Sequence, residues 1–227
     1  MKRTMRWLGG NLALALLWAC SGNTNMTGPT PALIGSGRLA TESRAVQGFD
    51  SVSMVGVGRL IIQQAGSESL EVTAEDNILP VVRSEVRGDT LFLDFAPVSS
   101  LNPTREIVYR LAVRELNEIS ATGAGIIDVA GLDTERLRVR LTGASSLLAS
   151  GSADRQDIEV SGASFVRAED LRSRMVTANV SGTSQCVVRV SDRLEADVSG
   201  VSLLEYYGDP VVIANASGGG TVRRAGP

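Results

Sequence analysis

The chain has 227 residues, enough for one sizeable domain or two small ones. Hydrophobic residues make up 43% of it but aromatic residues only 4%, so a core would be built from Val, Leu, Ile and Ala. The sequence contains no His, its one Lys is Lys2 and its formal net charge is −3. This composition excludes histidine-dependent catalysis, disfavours zinc and gives no argument for nucleic acid as a partner.

Residues 1–19 are typical of an export signal. Three cations, Lys2, Arg3 and Arg6, precede an apolar run that is clearest from Leu12 to Ala19. The run is too short to remain in a membrane as a spanning helix, so we expect its removal.

The segment LWAC at Leu17–Cys20 resembles a bacterial lipobox, in which the Cys is lipidated and becomes the new N-terminus. Trp18 departs from the small or β-branched residue usual at its position. The alternative is ordinary cleavage next to this Cys, which would release a secreted or periplasmic protein. Ser21 follows the Cys and favours the outer membrane. We therefore expect a membrane partner through a lipid on Cys20.

The remaining chain divides by composition. Residues 20–43 are small, polar and broken by prolines, as in a flexible tether. Residues 44–227 form the predicted domain, with a first half over 44–95 and regular repeats over 105–227. The low-complexity stretch 96–104 predicts a surface loop between the two.

Six glycines, each preceded by Ser or Thr, recur 18–20 residues apart, and a degenerate copy earlier in the chain supplies a seventh. The seven are Gly56, Gly123, Gly143, Gly162, Gly182, Gly200 and Gly218. A period near 20 is the signature of a solenoid.

The residues around these glycines alternate. Ile158, Glu159 and Val160 show the pattern, apolar then polar then apolar, that one buried strand face requires. Apolar residues also follow four positions after each glycine. The alternation predicts an all-β fold, a single-stranded β-helix with coils of about 18–20 residues, closed by polar turns such as 151–156.

The repeated motif VSGxS has a structural explanation. The glycine supplies a backbone angle that other residues avoid, at a corner that recurs once per coil. The flanking serines then align with their copies and can bond along the stack or back to the turn. A nucleophilic serine would need a base, and the sequence offers no His and no Lys after Lys2.

The segments RAVQGFDSVSMVGVGRLIIQQ and LEVTAEDNILPVVRSEVRGDTLFLDF, with the SG-x-S coils and the lipobox-like signal, resemble a bacterial family. It is the auto-transporter adhesin, head GIN domain family, and the resemblance runs from about Arg44 to the C-terminus. It implies a right-handed β-helix on exported, often lipid-anchored envelope proteins. Its name suggests adhesion, and it brings no catalytic residues.

Two non-enzymatic functions fit. In the first, an adhesion or binding module presents Phe165, Tyr206 and Tyr207 to a glycan or a protein surface. The alternative for these residues is that Phe165 packs under a loop and one tyrosine points inward. In the second, the chain is a structural envelope protein that self-associates through an open β-helix end.

A polysaccharide-active enzyme on the same fold is a third hypothesis. It would need clustered carboxylates, but each column of outward acids holds only two. Asp128 and Glu205 share one column and Glu159 and Asp197 another, and neither pair occupies adjacent coils. Residues 75–77, Glu-Asp-Asn, fit a metal loop or, equally, the start of a helical turn that Pro80 would limit. We predict no cofactor and no metal, and interpret Cys186 as a buried apolar residue.

Overall fold

The computed structural model describes residues 32–97 and 100–226, which belong to one compact unit. The predicted signal peptide, Cys20 and the first part of the predicted tether lie outside the described residues. In the part that is described, no helix is long and apolar enough to cross a membrane. The strands and the one short 3-10 helix are β1 (Leu33–Ile34), β2 (Leu39–Arg44), β3 (Ser51–Gln64), β4 (Ser69–Glu75), the 3-10 helix (Leu79–Val81), β5 (Val82–Arg87), β6 (Thr90–Phe95), β7 (Leu101–Asn102), β8 (Val108–Val113), β9 (Glu118–Gly143), β10 (Ser146–Val160), β11 (Phe165–Val180), β12 (Gln185–Val198), β13 (Leu203–Tyr207), β14 (Val211–Ala216) and β15 (Thr221–Gly226).

The second half is a stack of parallel strands in one large sheet. Strands β3, β9, β10, β11 and β12 pair in that order, and each residue pairs with its counterpart in the next repeat. Val160, for example, lies between Leu141 and Val180, and Val180 pairs in turn with Val198. The repeat seen in the sequence is therefore a repeat in space. We call each stretch from one corner glycine to the next a unit.

The alternating pattern determines which side chains are buried. Ile158 and Val160 are buried, while Glu159 between them is exposed. Burying one such aliphatic side chain contributes about 1.5–3 kcal/mol, so the apolar columns supply most of the stabilisation of each unit. The last unit differs, because Ala214 and Ala216 occupy the same columns but are exposed.

The seven predicted corner glycines all have positive φ, between 66° and 119°. Gly182 illustrates why no other residue fits. Its φ is +83°, and a Cβ atom on it would lie 2.4 Å from the carbonyl oxygen of Gly162 in the preceding unit. That same carbonyl accepts a 2.7 Å hydrogen bond from the amide of Thr183. The corner therefore combines a left-handed backbone with direct backbone contact between units.

Four of the seven corner glycines are followed two positions later by a serine, and these serines, Ser145, Ser164, Ser184 and Ser202, form a buried ladder. The Ser184 hydroxyl accepts from the Ser164 amide at 3.3 Å and donates to the Gly162 carbonyl at 3.2 Å. The same two bonds recur at Ser164 in the unit before. The serines of the motif thus satisfy backbone groups inside the corner, where no solvent reaches them.

The first half departs from the expected coils. Strands β2, β4 and β8 pair antiparallel, as do β5 and β6, whereas β3 continues the parallel stack and pairs in parallel with both β6 and β8. Residues 33–44, at the end of the predicted tether, lie in β1 and β2 and pair with the body of the domain. The loop predicted over 96–104 contains β7, which is the partner of β1.

Replacing Gly182 with Ala is expected to destabilise the domain by at least about 3 kcal/mol, because both the positive φ and the close carbonyl oppose a Cβ. Gly131 has a φ of +67° with nothing near its missing Cβ, so Gly131→Ala isolates the backbone cost of about 1 kcal/mol. Gly66→Ala, in open space, is the control. Equal denaturant midpoints for the three variants would contradict the corner contact.

Candidate functional site

The predicted binding residue Phe165 lies on the surface. It starts β11, its side chain is 45% exposed, and its strand neighbours are Ser146 and Gln185. Ile126 and Leu148 are exposed nearby on β9 and β10. Phe165 thus belongs to a small apolar patch rather than packing under a loop.

The two predicted tyrosines have different surroundings. Tyr206 is half-buried and packs against the hydrophobic core. Tyr207 is also half-buried, and the Arg189 guanidinium lies 5.1 Å from the centre of its ring, a cation–π contact. The structure therefore separates Phe165 from Tyr207, whose register partner Arg189 lines a second surface, described below.

Each outward acid that a carboxylate site would have used has a partner in a neighbouring unit. Asp128 pairs with Arg59 at 3.2 Å and Glu205 with Arg223 at 2.7 Å. The other two carboxylates, Glu159 and Asp197, bond to Arg140 and Asn215. These contacts cross-link adjacent units on the surface.

Residues 75–77 form hydrogen bonds to residues 34–37, the segment through which the chain enters the domain. Glu75 is completely buried at the end of β4, and its carboxylate accepts hydrogen bonds from the Gly37 amide at 2.6 Å and the Thr104 amide at 2.9 Å. Asp76 accepts from the Ser36 hydroxyl. The expected helical turn is a hydrogen-bonded turn after β4, followed by the 3-10 helix.

Asn77 completes the contact. It accepts from the Ser36 amide at 3.0 Å and donates to the Ile34 carbonyl at 2.7 Å. A Cβ on Gly35 would lie 1.8 Å from a Glu75 carboxylate oxygen, so this glycine allows the two segments to touch. We call this arrangement of residues 34–37, 75–77 and 104 the entry clip.

Burial alone would raise the pKa of the Glu75 carboxyl, but hydrogen bonds from the Thr104 hydroxyl and the surrounding backbone amides outweigh it. The pKa therefore lies below its usual value. The fold therefore favours the charged carboxylate of Glu75 over its protonated form.

A large concavity lies elsewhere, near the middle of the long strands β9 to β12 and just after β13. It has a volume of about 880 Å³ and is lined by residues from five successive units, at 133–135, 152 and 154, 172–174, 189–191, and 208–209. We call it the corner groove, although it lies at a different place in each unit from the corner glycine.

The units change length at the corner groove. Ala168 pairs with Val188 and Met175 with Arg193, so the segment between these two pairs, which we call the connection, has six residues in β11 but only four in β12. Connections of unequal length cannot follow the same path, and the register shifts between β11 and β12 occur at this point. The groove opens where the longer connection meets the shorter one.

Charged and hydroxyl groups line the corner groove. Arg174 reaches across units to Asp154 at 3.6 Å and Asp192 at 3.0 Å. The Ser152 hydroxyl donates to Asp133 at 2.9 Å. Such a surface can bind a ligand through hydrogen bonds and ion pairs, and the described residues contain no group of three His, Cys, Asp or Glu arranged for a metal.

Sequence reasoning did not find the corner groove, because its residues were interpreted as polar turns. Two signals point to it. The spacing of the corner glycines falls from 20 to 18 residues after Gly182. Further glycines recur eight residues after several corner glycines, at Gly131, Gly151 and Gly208, and each has positive φ.

The burial of Cys186 fits the interpretation of this residue as an apolar side chain. It lies between Val166 and Leu204 in a core column and is fully buried. Burial raises the pKa of its thiol to about 12, so the thiolate is not populated at neutral pH.

A family model described as "Putative auto-transporter adhesin, head GIN domain" matches residues 48–210, well over half of the chain. The chain belongs to this family. The resemblance drawn from the sequence is thereby confirmed, and the matched range includes the corner groove and Phe165. A search of curated proteins found no match to this head GIN domain.

Solved structures support the fold of this head GIN domain. A "putative adhesin" from Bacteroides fragilis NCTC 9343 is similar with a TM-score of 0.68 and 22% identity, covering 85% of this chain and 99% of that one. A "putative adhesin" from Parabacteroides distasonis ATCC 8503 gives 0.60 and 19%, covering 86% and 100%. A "putative lipid binding protein" from the same strain gives 0.53 and 20%, also covering 86% and 100%.

Glu75→Gln is expected to lower the thermal midpoint at neutral pH and to reduce the further loss of stability in acid. The depressed pKa of Glu75 stabilises the fold above the unfolded pKa, and this contribution is lost as the pH falls through the folded pKa. Melting curves at pH 7 and about pH 3 measure both effects. Glu71→Gln, exposed on the same strand, is the control, and identical curves for the two variants would contradict a structural role for Glu75.

Proposed function

We propose that this head GIN domain is a non-catalytic binding module of the bacterial cell envelope, with adhesion as its role. The observation that carries the proposal is the corner groove, a large concavity whose arginine, carboxylate and hydroxyl groups suit ligand binding. The second serine of each repeated motif is buried and bonded to backbone groups, which argues against its use as a nucleophile. The family description points in the same direction.

The proposal includes a right-handed single-stranded β-helix as the scaffold. Its support is the parallel pairing of β9 to β12 in register at one unit per step, together with the recurring corner glycines. A scaffold of this kind displays side chains in rows across successive units, which suits an extended ligand.

The proposal also includes export and a lipid anchor at Cys20, most consistent with an outer-membrane lipoprotein. Radiolabelled palmitate should be incorporated into the wild-type protein and Cys186→Ala but not into Cys20→Ala. The buried Cys186 is the matched control because it is the only other sulfur of this type in the sequence. Label retained in Cys20→Ala would contradict Cys20 as the anchor, and an unlabelled wild-type protein would favour a secreted or periplasmic protein.

Binding itself is tested with the domain beginning at residue 32, applied to an array of glycans and to immobilised envelope proteins. The expected result is saturable binding to one ligand class. An absence of binding on both would count against the module and leave self-association as the function.

Self-association remains the second candidate, because the final strands expose apolar side chains. Val201, Val211 and Ile213 are among the most exposed large hydrophobic residues described, and β14 and β15 each pair on only one side within the described residues. Sedimentation of the domain across concentrations should show a monomer if binding is the function. A concentration-dependent dimer that Val211→Asp abolishes would favour the structural role.

A further inference from the structure

The corner groove contains an unusual pair of like charges. Arg172 on β11 and Arg189 on β12 are direct register partners, so their side chains start from adjacent positions on neighbouring strands. Like charges placed opposite each other destabilise a sheet. One other such pair occurs among the described strands, Arg136 with Arg155, and there Arg136 is held by Asp157.

Neither Arg172 nor Arg189 forms an ion pair with a carboxylate within the described part of the chain. Arg189 is held by other means, since its Nε donates to the Glu169 carbonyl at 2.7 Å and its guanidinium lies on the ring of Tyr207. Arg172 is exposed. Two adjacent guanidinium groups, one fixed and one free, suit a carboxylate that bonds to both.

A buried polar pair lies beneath the corner groove. Ser173 is 6% exposed, and its oxygen accepts a 2.6 Å hydrogen bond from the side-chain amide nitrogen of Gln156, which is completely buried. Ser173 lies between the exposed Arg172 and Arg174, so this bond supports the strand that carries both arginines. The Gln156 carbonyl oxygen has no partner among the described residues.

The polar groups form a row across the units. Asp133, Ser152, Arg172, Arg189 and Tyr207 are successive register partners on β9 to β13. Neighbouring strands lie about 4.8 Å apart, so the row spans roughly 19 Å over its four steps. A ligand that fills it is elongated and presents polar groups at regular intervals.

The acids in the corner groove restrict the class of anion. Four carboxylates line the groove beside its three arginines: Asp133, Glu135, Asp154 and Asp209. They would repel a densely charged polymer such as a nucleic acid. The same carboxylates accept hydrogen bonds from hydroxyl groups. The ligand must therefore combine occasional carboxylates with many hydroxyls.

We propose that the corner groove binds an acidic oligosaccharide along the stack, with Arg172 and Arg189 holding the carboxylate of one sugar. Tyr207, beneath Arg189, extends the row to the next unit. This inference rests on the proposed binding function and specifies its ligand class and location.

The test is calorimetry at low salt on the domain beginning at residue 32, with tetragalacturonate, tetramannuronate and sialyllactose. Each is compared with its neutral counterpart: galactotetraose, mannotetraose or lactose. At least one acidic member should bind more tightly than its counterpart. Arg172→Gln should weaken that binding about ten- to hundredfold, as expected for loss of a charged hydrogen bond, and Arg172→Lys should weaken it less.

Arg155→Gln is the matched control, because Arg155 is also exposed and lies outside the corner groove on β10. Its affinity should equal that of the wild type, and melting curves verify that all variants are folded. Equal binding of acidic and neutral members, or equal affinities of Arg172→Gln and Arg155→Gln, would overturn the inference. If inorganic sulfate bound as tightly as the acidic sugar, the inference would also be overturned, because the site would then recognise any anion rather than a sugar.

Different results would contradict the proposed binding function and the proposed acidic-sugar site. Binding of an envelope protein or a neutral glycan that is lost in Phe165→Ser but unchanged in Arg172→Gln would leave the binding function standing and reject this groove as its site. No binding to any ligand tested would reject both.

Discussion

The stack depends on a backbone contact at each corner that leaves no room for a side chain. The carbonyl oxygen of one corner glycine lies where the Cβ of the next would be, as between Gly162 and Gly182, and it accepts the amide of the following residue. This contact sets the position of each unit on the last. The apolar columns then align, because all units start from equivalent points, and the buried serines satisfy the backbone groups that the corner encloses.

Because the backbone contact at the glycine corner is so close, the length of a unit can vary only in segments away from that corner. The connection shortens from six residues in β11 to four in β12, yet the strands keep their register on both sides of it, since Ala168 pairs with Val188 before it and Met175 with Arg193 after it. The buried Leu171 in the longer connection has no register partner in the shorter one. The corner groove thus coincides with unequal units in an otherwise regular stack, and such a difference gives a repetitive chain one distinctive site.

Much of this arrangement follows from the sequence, because the period and the alternation act locally. They identify the corner glycines, the buried columns and the family. The antiparallel first half does not follow, since alternation in β4 or β5 tells which face is buried but not which strand is the partner or in which direction it runs. The corner groove was missed because its residues resemble any polar turn. Glu75 was ambiguous for a similar reason, because its sequence neighbours suit a helix start as well as a buried clip.

The entry clip has a mechanical consequence. Chain preceding residue 33 meets the domain where Ser36 and Gly37 are bonded to residues 75–77, and β2 then pairs along β4 through six residues. A pulling force on that preceding segment reaches the buried carboxylate of Glu75 before it reaches the parallel stack. We therefore expect the hydrogen bonds of the entry clip to break before the parallel stack unfolds. The surface that would hold a ligand would then keep its structure while the N-terminal segment extends.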